Sequence, residues 1–178
     1  MLVVFGGLPG TGKTTIARAI ARRQSAVYLR IDEIEQAIRS AGVLKSTVGP
    51  SGYVVGNALA ASNLSNGGLV VADCVNPVQE SRQGWRATAS RTQSPLLEIE
   101  IVCSDPIEHR RRVEERRSDI DGLDPPTWDL VKARHYASWL EDHLVIDTAL
   151  LTADEAIEIV ERHMRALSPL AIRNRDTG

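Results

Sequence analysis

Short runs of β-branched and other apolar residues recur at 2–5, 27–31, 69–72, 97–102 and 144–146, each separated from the next by a stretch long enough for a helix. Runs that stay apolar, rather than alternating with polar residues, belong to strands covered on both faces, and strand–helix alternation feeds a parallel sheet. The pattern therefore predicts an α/β fold with five parallel strands and helices on both faces. Helices are predicted over 13–24, 32–41, 51–65, 77–90, 106–117, 126–140 and 154–167. Proline stands at or near the first turn of three of them, where its missing N–H costs nothing. Thr152 followed by Glu155 reads as a capping box for the last. Residues 168–178 lack apolar periodicity and are expected to form a mobile tail. No repeat or linker divides 1–167, so that segment is expected to be a single domain.

Ligands of open parallel sheets sit beyond the carboxyl ends of the strands, so chemistry is sought in the residues that follow each apolar run. The first such segment reads Gly7-Leu8-Pro9-Gly10-Thr11-Gly12-Lys13-Thr14-Thr15. This is the phosphate-loop pattern G-x-x-x-x-G-K-[ST], or Walker A, set between a predicted strand and a predicted helix. Gly7, Gly10 and Gly12 can take backbone angles closed to other residues, which lets successive N–H groups turn inward at a helix N-terminus. Lys13 supplies a mobile charge for the β- and γ-phosphates, Thr14 a hydroxyl for the shell of a magnesium ion, and Thr15 a contact to the α-phosphate. The segment points to a nucleoside triphosphate carried with Mg2+.

Asp73 ends the third apolar run, where a carboxylate can hold magnesium directly or through water. The residue after it is Cys74, where a motor-type ATPase carries a water-activating glutamate, so fast hydrolysis is not expected. Asp32 closes the second run and opens a helix; it reads either as a group accepting the proton of an attacking hydroxyl or as a helix N-cap. Glu33 and Glu35 read as charges favouring the helix dipole. The stretch after Glu108 holds Arg110, Arg111, Arg112, Arg116 and Arg117 beside a loop rich in Asp, Gly and Pro. Arg112 and Arg116, four apart, share a helix face and suit a lid closing over the phosphates at about 110–134; a solvated helix is the alternative. Arg110, Arg111 and Arg117 are expected at the surface.

Arg82 and Arg86 form a second pair four residues apart, either on the acceptor side or on a solvent face; with Asp32 and Asn76 they are the candidates for substrate binding. Lys45 is a weaker one. His109, His135, His143 and His163 lack metal-ligand spacing and are expected at the surface or at helix ends. Trp85, Trp128 and Trp139 read as packing residues. Among 178 residues, 43% are hydrophobic and 25% charged, the net charge is −2, and aromatic residues make up 4%. That balance describes a soluble protein and disfavours nucleic acid as a partner. No run is long enough to span a membrane, and a strand beginning at Leu2 leaves no room for a signal peptide, so a cytoplasmic protein is expected. Cys74 and Cys103 lie on separate apolar segments and imply neither a disulfide nor zinc.

The phosphate loop, Leu-Arg-Ile-Asp at 29–32, Val-Val-Ala-Asp-Cys-Val-Asn-Pro at 70–77, the arginine-rich helix and Val-Ile-Asp-Thr at 145–148 together resemble the small P-loop kinases. That group includes adenylate, shikimate, gluconate and adenylylsulfate kinases, zeta toxins and polynucleotide kinases. The resemblance implies a three-layer P-loop NTPase fold with strand order 2-3-1-4-5, and ATP with Mg2+ as cofactors. It also implies Asp32 as the base-like carboxylate, Arg112 and Arg116 as lid arginines that reach ATP, and Thr148 with Ala149 near the adenine. Adenylate kinases carry Asp-Gly-Phe-Pro-Arg where this chain has Asp73-Cys74-Val75-Asn76-Pro77, which argues against a nucleoside monophosphate acceptor. The expected activity is transfer of the γ-phosphoryl group to a hydroxyl of a small molecule by a monomer or homodimer. The alternatives are a slowly hydrolysing regulatory switch and a 5′-hydroxyl nucleic-acid kinase.

Overall fold

The computed structural model describes residues 1–43 and 47–173, with side chains through residue 168. Its strands are β1 (Leu2–Gly6), β2 (Val27–Arg30), β3 (Val70–Asp73), β4 (Leu96–Val102) and β5 (Leu144–Asp147). All neighbouring pairs run parallel, in the order β2-β3-β1-β4-β5. This is the expected sheet. The helices are α1 (Lys13–Arg23), α2 (Ile31–Ser40), α3 (Ser51–Ser65), α4 (Gln79–Arg91), α5 (Pro106–Glu115), α6 (Trp128–Ala133) and α7 (Ala153–Arg173).

Because strand side chains alternate between faces, the apolar runs feed two cores. Val3, Phe5, Val71, Ile99 and Ile101 pack against Ile16 and Ile20 of α1 and Ile157 and Val160 of α7. Leu2, Val4, Val70 and Ala72 face the other way, against Ala60 and Leu64 of α3 and Trp85 and Ala89 of α4. Each large side chain buried in these layers contributes about 1.5–3 kcal/mol. The carboxyl ends of β1 and β3 are thereby locked in register, Phe5 opposite Asp73, with Arg30 of β2 on the other side of Asp73. No helix among the described residues is long and apolar enough to cross a membrane.

The capping box forms as expected: the Glu155 amide donates to the Thr152 hydroxyl (3.3 Å), and the Thr152 amide donates to the Glu155 carboxylate (2.8 Å). Helix α7 continues through Arg173, into the segment expected to be a tail; residues 174–178 and the weaker candidate Lys45 lie outside the described residues. The largest departure is the helix expected over 126–140, which is confined to α6 at Trp128–Ala133. Beyond it the chain forms a strap across the end of the sheet. The Ala137 amide donates to the Pro77 carbonyl (2.8 Å), and the Ala137 and Ser138 carbonyls accept from Arg82 at 2.6 and 2.9 Å. Backbone groups spent on these partners are not available to a helix.

Arg82 is 0% exposed, also donates to the Asn76 carbonyl (3.1 Å), and lies under the rings of Trp139 and Tyr136 at 4.3 and 5.3 Å. Arg86 pairs with Glu98 (2.6 Å) and with Glu141. Spacing placed them on one helix face, and that face meets the strap and β4, where both guanidiniums have protein partners. Arg82→Met is expected to leave several carbonyls buried without a donor, a loss of about 3 kcal/mol that lowers the melting midpoint by about 6–12 °C. A midpoint unchanged in a circular dichroism melt would show that the strap does not depend on Arg82.

Candidate functional site

The loop between β1 and α1 takes the shape its glycines allow. Gly7, Gly10 and Gly12 have φ of 137°, 86° and 91°, and a Cβ on Gly7 would collide with the Ile101 carbonyl oxygen. Thr11 turns back on the loop, its hydroxyl donating to the Leu8 carbonyl (2.9 Å). Helix α1 begins at Lys13 with no side-chain cap and no acidic residue in its first turn. Its leading N–H groups and the positive end of its dipole are therefore left for an external anion. Thr14 and Thr15 line a cleft of about 590 Å³ beside this terminus, with Gly10, Gly12 and Lys13.

Helix α5 supports the loop from behind. A Cβ at Gly10 would come within 2.5 Å of Val113 and 3.2 Å of His109. His109 is 8% exposed, and its Nε2 lies 2.8 Å from the Pro9 carbonyl oxygen; since a carbonyl only accepts, Nε2 carries the proton. Trp128 meets the same ring edge-on at 5.1 Å. The expectation of a surface or helix-end histidine is thus corrected at His109. Thr148, after β5, closes the other side: its hydroxyl donates to the Thr11 carbonyl (2.8 Å) and accepts from Arg112 Nη1 (2.8 Å). Arg112 also reaches the Thr148 carbonyl (3.1 Å) and Glu108 (2.7 Å), so its guanidinium is aimed before any ligand arrives. Ala149 follows on the same turn, its amide donating to Asp147 (2.9 Å).

Lys13 is 4% exposed, and burial lowers its pKa; the charges of Asp73 and then Asp32 act against that shift. The three residues, separate in sequence, lie within electrostatic reach of one another, though neither aspartate pairs with Lys13 within 4 Å among the described residues. Asp73 is 2% exposed and accepts from the Tyr28 hydroxyl (2.7 Å). Asp32 lies in the first turn of α2, whose N-cap is Arg30 without a side-chain cap bond. The capping alternative for Asp32 therefore falls away. Asp32 is half-buried, and its carboxylate makes no hydrogen bond among the described residues. Cys74 is buried, its thiol directed at the Phe5 carbonyl (3.2 Å), and burial raises its pKa strongly. A neutral thiol turned into the core does not replace a water-activating glutamate.

Arg116 lines the cleft with Arg112, and its charge is felt at Lys13. Arg117 is exposed, as expected, and stands at the cleft with Arg116, beyond the end of α5 at Glu115. Arg110 and Arg111 stay exposed in pairs with Glu114, Glu108 and Glu115. Arg18 and Arg30 were not anticipated, although a charged residue within the apolar run at 27–31 was the signal. Arg30 donates to both oxygens of Asp119 at 2.9 Å each, and Arg18 joins at 2.8 Å. The Arg30 fork and then Arg18 hold the Asp119 carboxyl well below its ordinary range. Gln36 of α2 also donates to the Gly122 carbonyl (3.1 Å), which docks the loop after α5 over the cleft.

Asn76 is 0% exposed at φ 56°, and neither polar atom of its carboxamide has a hydrogen-bond partner among the described residues. Its amide N–H donates to the Tyr53 hydroxyl (2.8 Å) and its carbonyl is held by Arg82, so the strained turn is fixed from both ends. A buried unpaired amide costs about 1–3 kcal/mol. Of the remaining residues read as packing or surface groups, Trp85 is fully buried, Trp139 stacks on His143 at 4.5 Å, and His163 is exposed.

Similarity to known proteins agrees with this geometry. The chain is 29% identical over 139 residues to a shikimate kinase of Corynebacterium glutamicum, covering 67% of this chain and 80% of that one. A gluconokinase of Sinorhizobium meliloti 1021 has the same fold, with a TM-score of 0.65 and 19% identity, covering 96% of this chain and 95% of the other. The APS kinase of Mycobacterium tuberculosis, solved with AMPPNP and APS, superposes with a TM-score of 0.66 and 19% identity, covering 92% and 96%. The fold is thus that of the kinase-type P-loop proteins, as the resemblance implied. The family model described as an AAA domain matches residues 2–137, and the chain belongs to that family, AAA_33.

Proposed function

We propose that the cleft binds ATP with Mg2+ and that the protein transfers the γ-phosphoryl group to a hydroxyl of a small molecule. The observation that carries this reading is the loop of Gly7, Gly10 and Gly12, all at positive φ, which leads into the uncapped start of α1 at the buried Lys13. Thr14 and Asp73 fit a magnesium ion, one offering a hydroxyl at the cleft wall and the other a buried carboxylate. When bound, that ion neutralises charge on the phosphate oxygens. Gly7 to Thr15 cradle the phosphates, and Thr148 with Ala149 lies beside the adenine. Arg112 and Arg116 stabilise the charge that spreads over the transferred group, and the segment at about 110–134 acts as their lid.

Asp32 takes the proton of the acceptor hydroxyl as that oxygen bonds to the γ-phosphorus. The bond from phosphorus to the β–γ bridging oxygen breaks, and ADP leaves. Water competes poorly, since Cys74 offers it no base. Asn76 is assigned to the acceptor because its carboxamide lacks a partner, whereas Arg82 and Arg86 are already committed elsewhere. The relatives named for shikimate and gluconate support an alcohol acceptor, since both compounds carry hydroxyls.

The test is ADP formation from MgATP in the presence of a panel of hydroxy acids, sugars, nucleosides and amino alcohols. One class is expected to raise the rate well above that with water alone and to appear as a phosphate monoester by mass spectrometry. Slow hydrolysis that no acceptor stimulates would replace the kinase with a nucleotide-dependent switch.

A further inference from the structure

Tyr28 and Arg30 stand two residues apart on β2 and so share a face. Both reach the carboxylate of Asp73 on the neighbouring strand, and both reach the same oxygen. The Tyr28 hydroxyl donates to Oδ2 at 2.7 Å, and Arg30 Nε lies 3.9 Å from Oδ2, an ion pair without a hydrogen bond. The other oxygen, Oδ1, receives no hydrogen bond among the described residues. Arg30 is itself fixed: its side chain is 1% exposed, and its two terminal nitrogens are spent on Asp119. A line of contacts thus runs from the loop over the cleft, through Asp119 and Arg30, to Asp73.

We propose that Tyr28 and Arg30 are positioning residues for Asp73: together they claim Oδ2, leave Oδ1 to the magnesium ion, and make that orientation depend on Asp119 being docked. The proposal rests on the reading of the cleft as a MgATP site. Its physical basis is the rotational freedom of a carboxylate. A carboxylate that nothing holds turns about its last side-chain bond and offers the metal neither a fixed oxygen nor a fixed direction. One hydrogen bond from a rigid phenol removes that freedom. A guanidinium bound to the covering loop does so only while the loop is closed.

Tyr28→Phe keeps the ring and removes the hydroxyl, and Asp119→Asn keeps the shape and removes the charge. The probe is ADP, titrated calorimetrically with EDTA and again with Mg2+, so that each protein yields a ratio of affinities. In Tyr28→Phe, affinity in EDTA is expected to match the parent, while the gain on adding Mg2+ falls by about tenfold, the usual consequence of losing an outer partner of a metal ligand. The electron paramagnetic resonance spectrum of Mn2+ with ADP is expected to change in the same variant. Asp119→Asn is expected to shrink the Mg2+ gain as well. An unchanged gain in either variant overturns the corresponding part of the proposal, and a loss equal in EDTA and in Mg2+ overturns it in favour of a merely structural role. Should the parent itself bind no ADP, the MgATP reading fails, an outcome distinct from all of these.

Discussion

Lys13→Ala is expected to abolish triphosphate turnover, with a fall of at least about a thousandfold, or about 4 kcal/mol of transition-state stabilisation. Lys13 is the first residue of α1 and sits almost wholly out of water, with Asp73 and Asp32 as its electrostatic neighbours. Lys13 is the cation that the loop itself supplies; of the cleft arginines, Arg112 is anchored by Thr148 and Glu108, and Arg30 by Asp119. The same burial that lowers the Lys13 pKa makes the folded state disfavour its charge. A base whose pKa is lower folded than unfolded loses stability as pH falls through its unfolded value, so at neutral pH the ammonium is a cost to the empty fold. The variant is accordingly expected to melt no lower than the parent while losing activity. Steady-state ADP release and a thermal melt check the two halves. Retained turnover would refute the assignment of the phosphate site.

The phosphate loop was legible in the chain because its geometry is local: three glycines at fixed spacing, each with positive φ, a lysine and a threonine need nothing from elsewhere to be recognised. The sheet was legible for a related reason, since strands covered on both faces read as unbroken apolar runs whose ends mark Asp73 and Asp32. What escaped the sequence depends on partners far along the chain. Arg30 lies 89 positions from Asp119, and His109 lies 100 from Pro9. Helical spacing puts Arg82 and Arg86 on one face but does not say what that face meets, and it meets a strap 55 positions away. The strap shows the same limit from the other side. Residues 134–140 follow α6 in a helix-compatible pattern, yet Arg82 and Pro77 take up their backbone groups. Arg117 is exposed as expected, and the extended conformation of Arg116, with ψ 128°, ends the helix before it.

Asp32→Asn is expected to separate binding from transfer. The side chain sits in the first turn of α2, half-buried, close enough to Lys13 and Glu35 to affect the charge of both, and without a hydrogen bond of its own among the described residues. A carboxylate so placed is not spent on the fold: Arg30 holds the N-cap position, and the ion pairs of the region use Glu33, Glu35 and Asp119. The asparagine amide has the same shape and still offers one oxygen, so the loop, the arginines and Asp73 are undisturbed. It no longer takes a proton from an attacking hydroxyl. Acceptor phosphorylation is expected to fall by about 10²–10⁴-fold, the range for removal of a general base, while the affinity for MgADP stays within about twofold. Calorimetry with MgADP and a single-turnover assay with the acceptor measure the two quantities independently. A parallel loss of both would move Asp32 from the acceptor to the metal, beside Thr14 and Asp73. Full retention of transfer would leave it no part in the reaction and pass the proton to the phosphate itself.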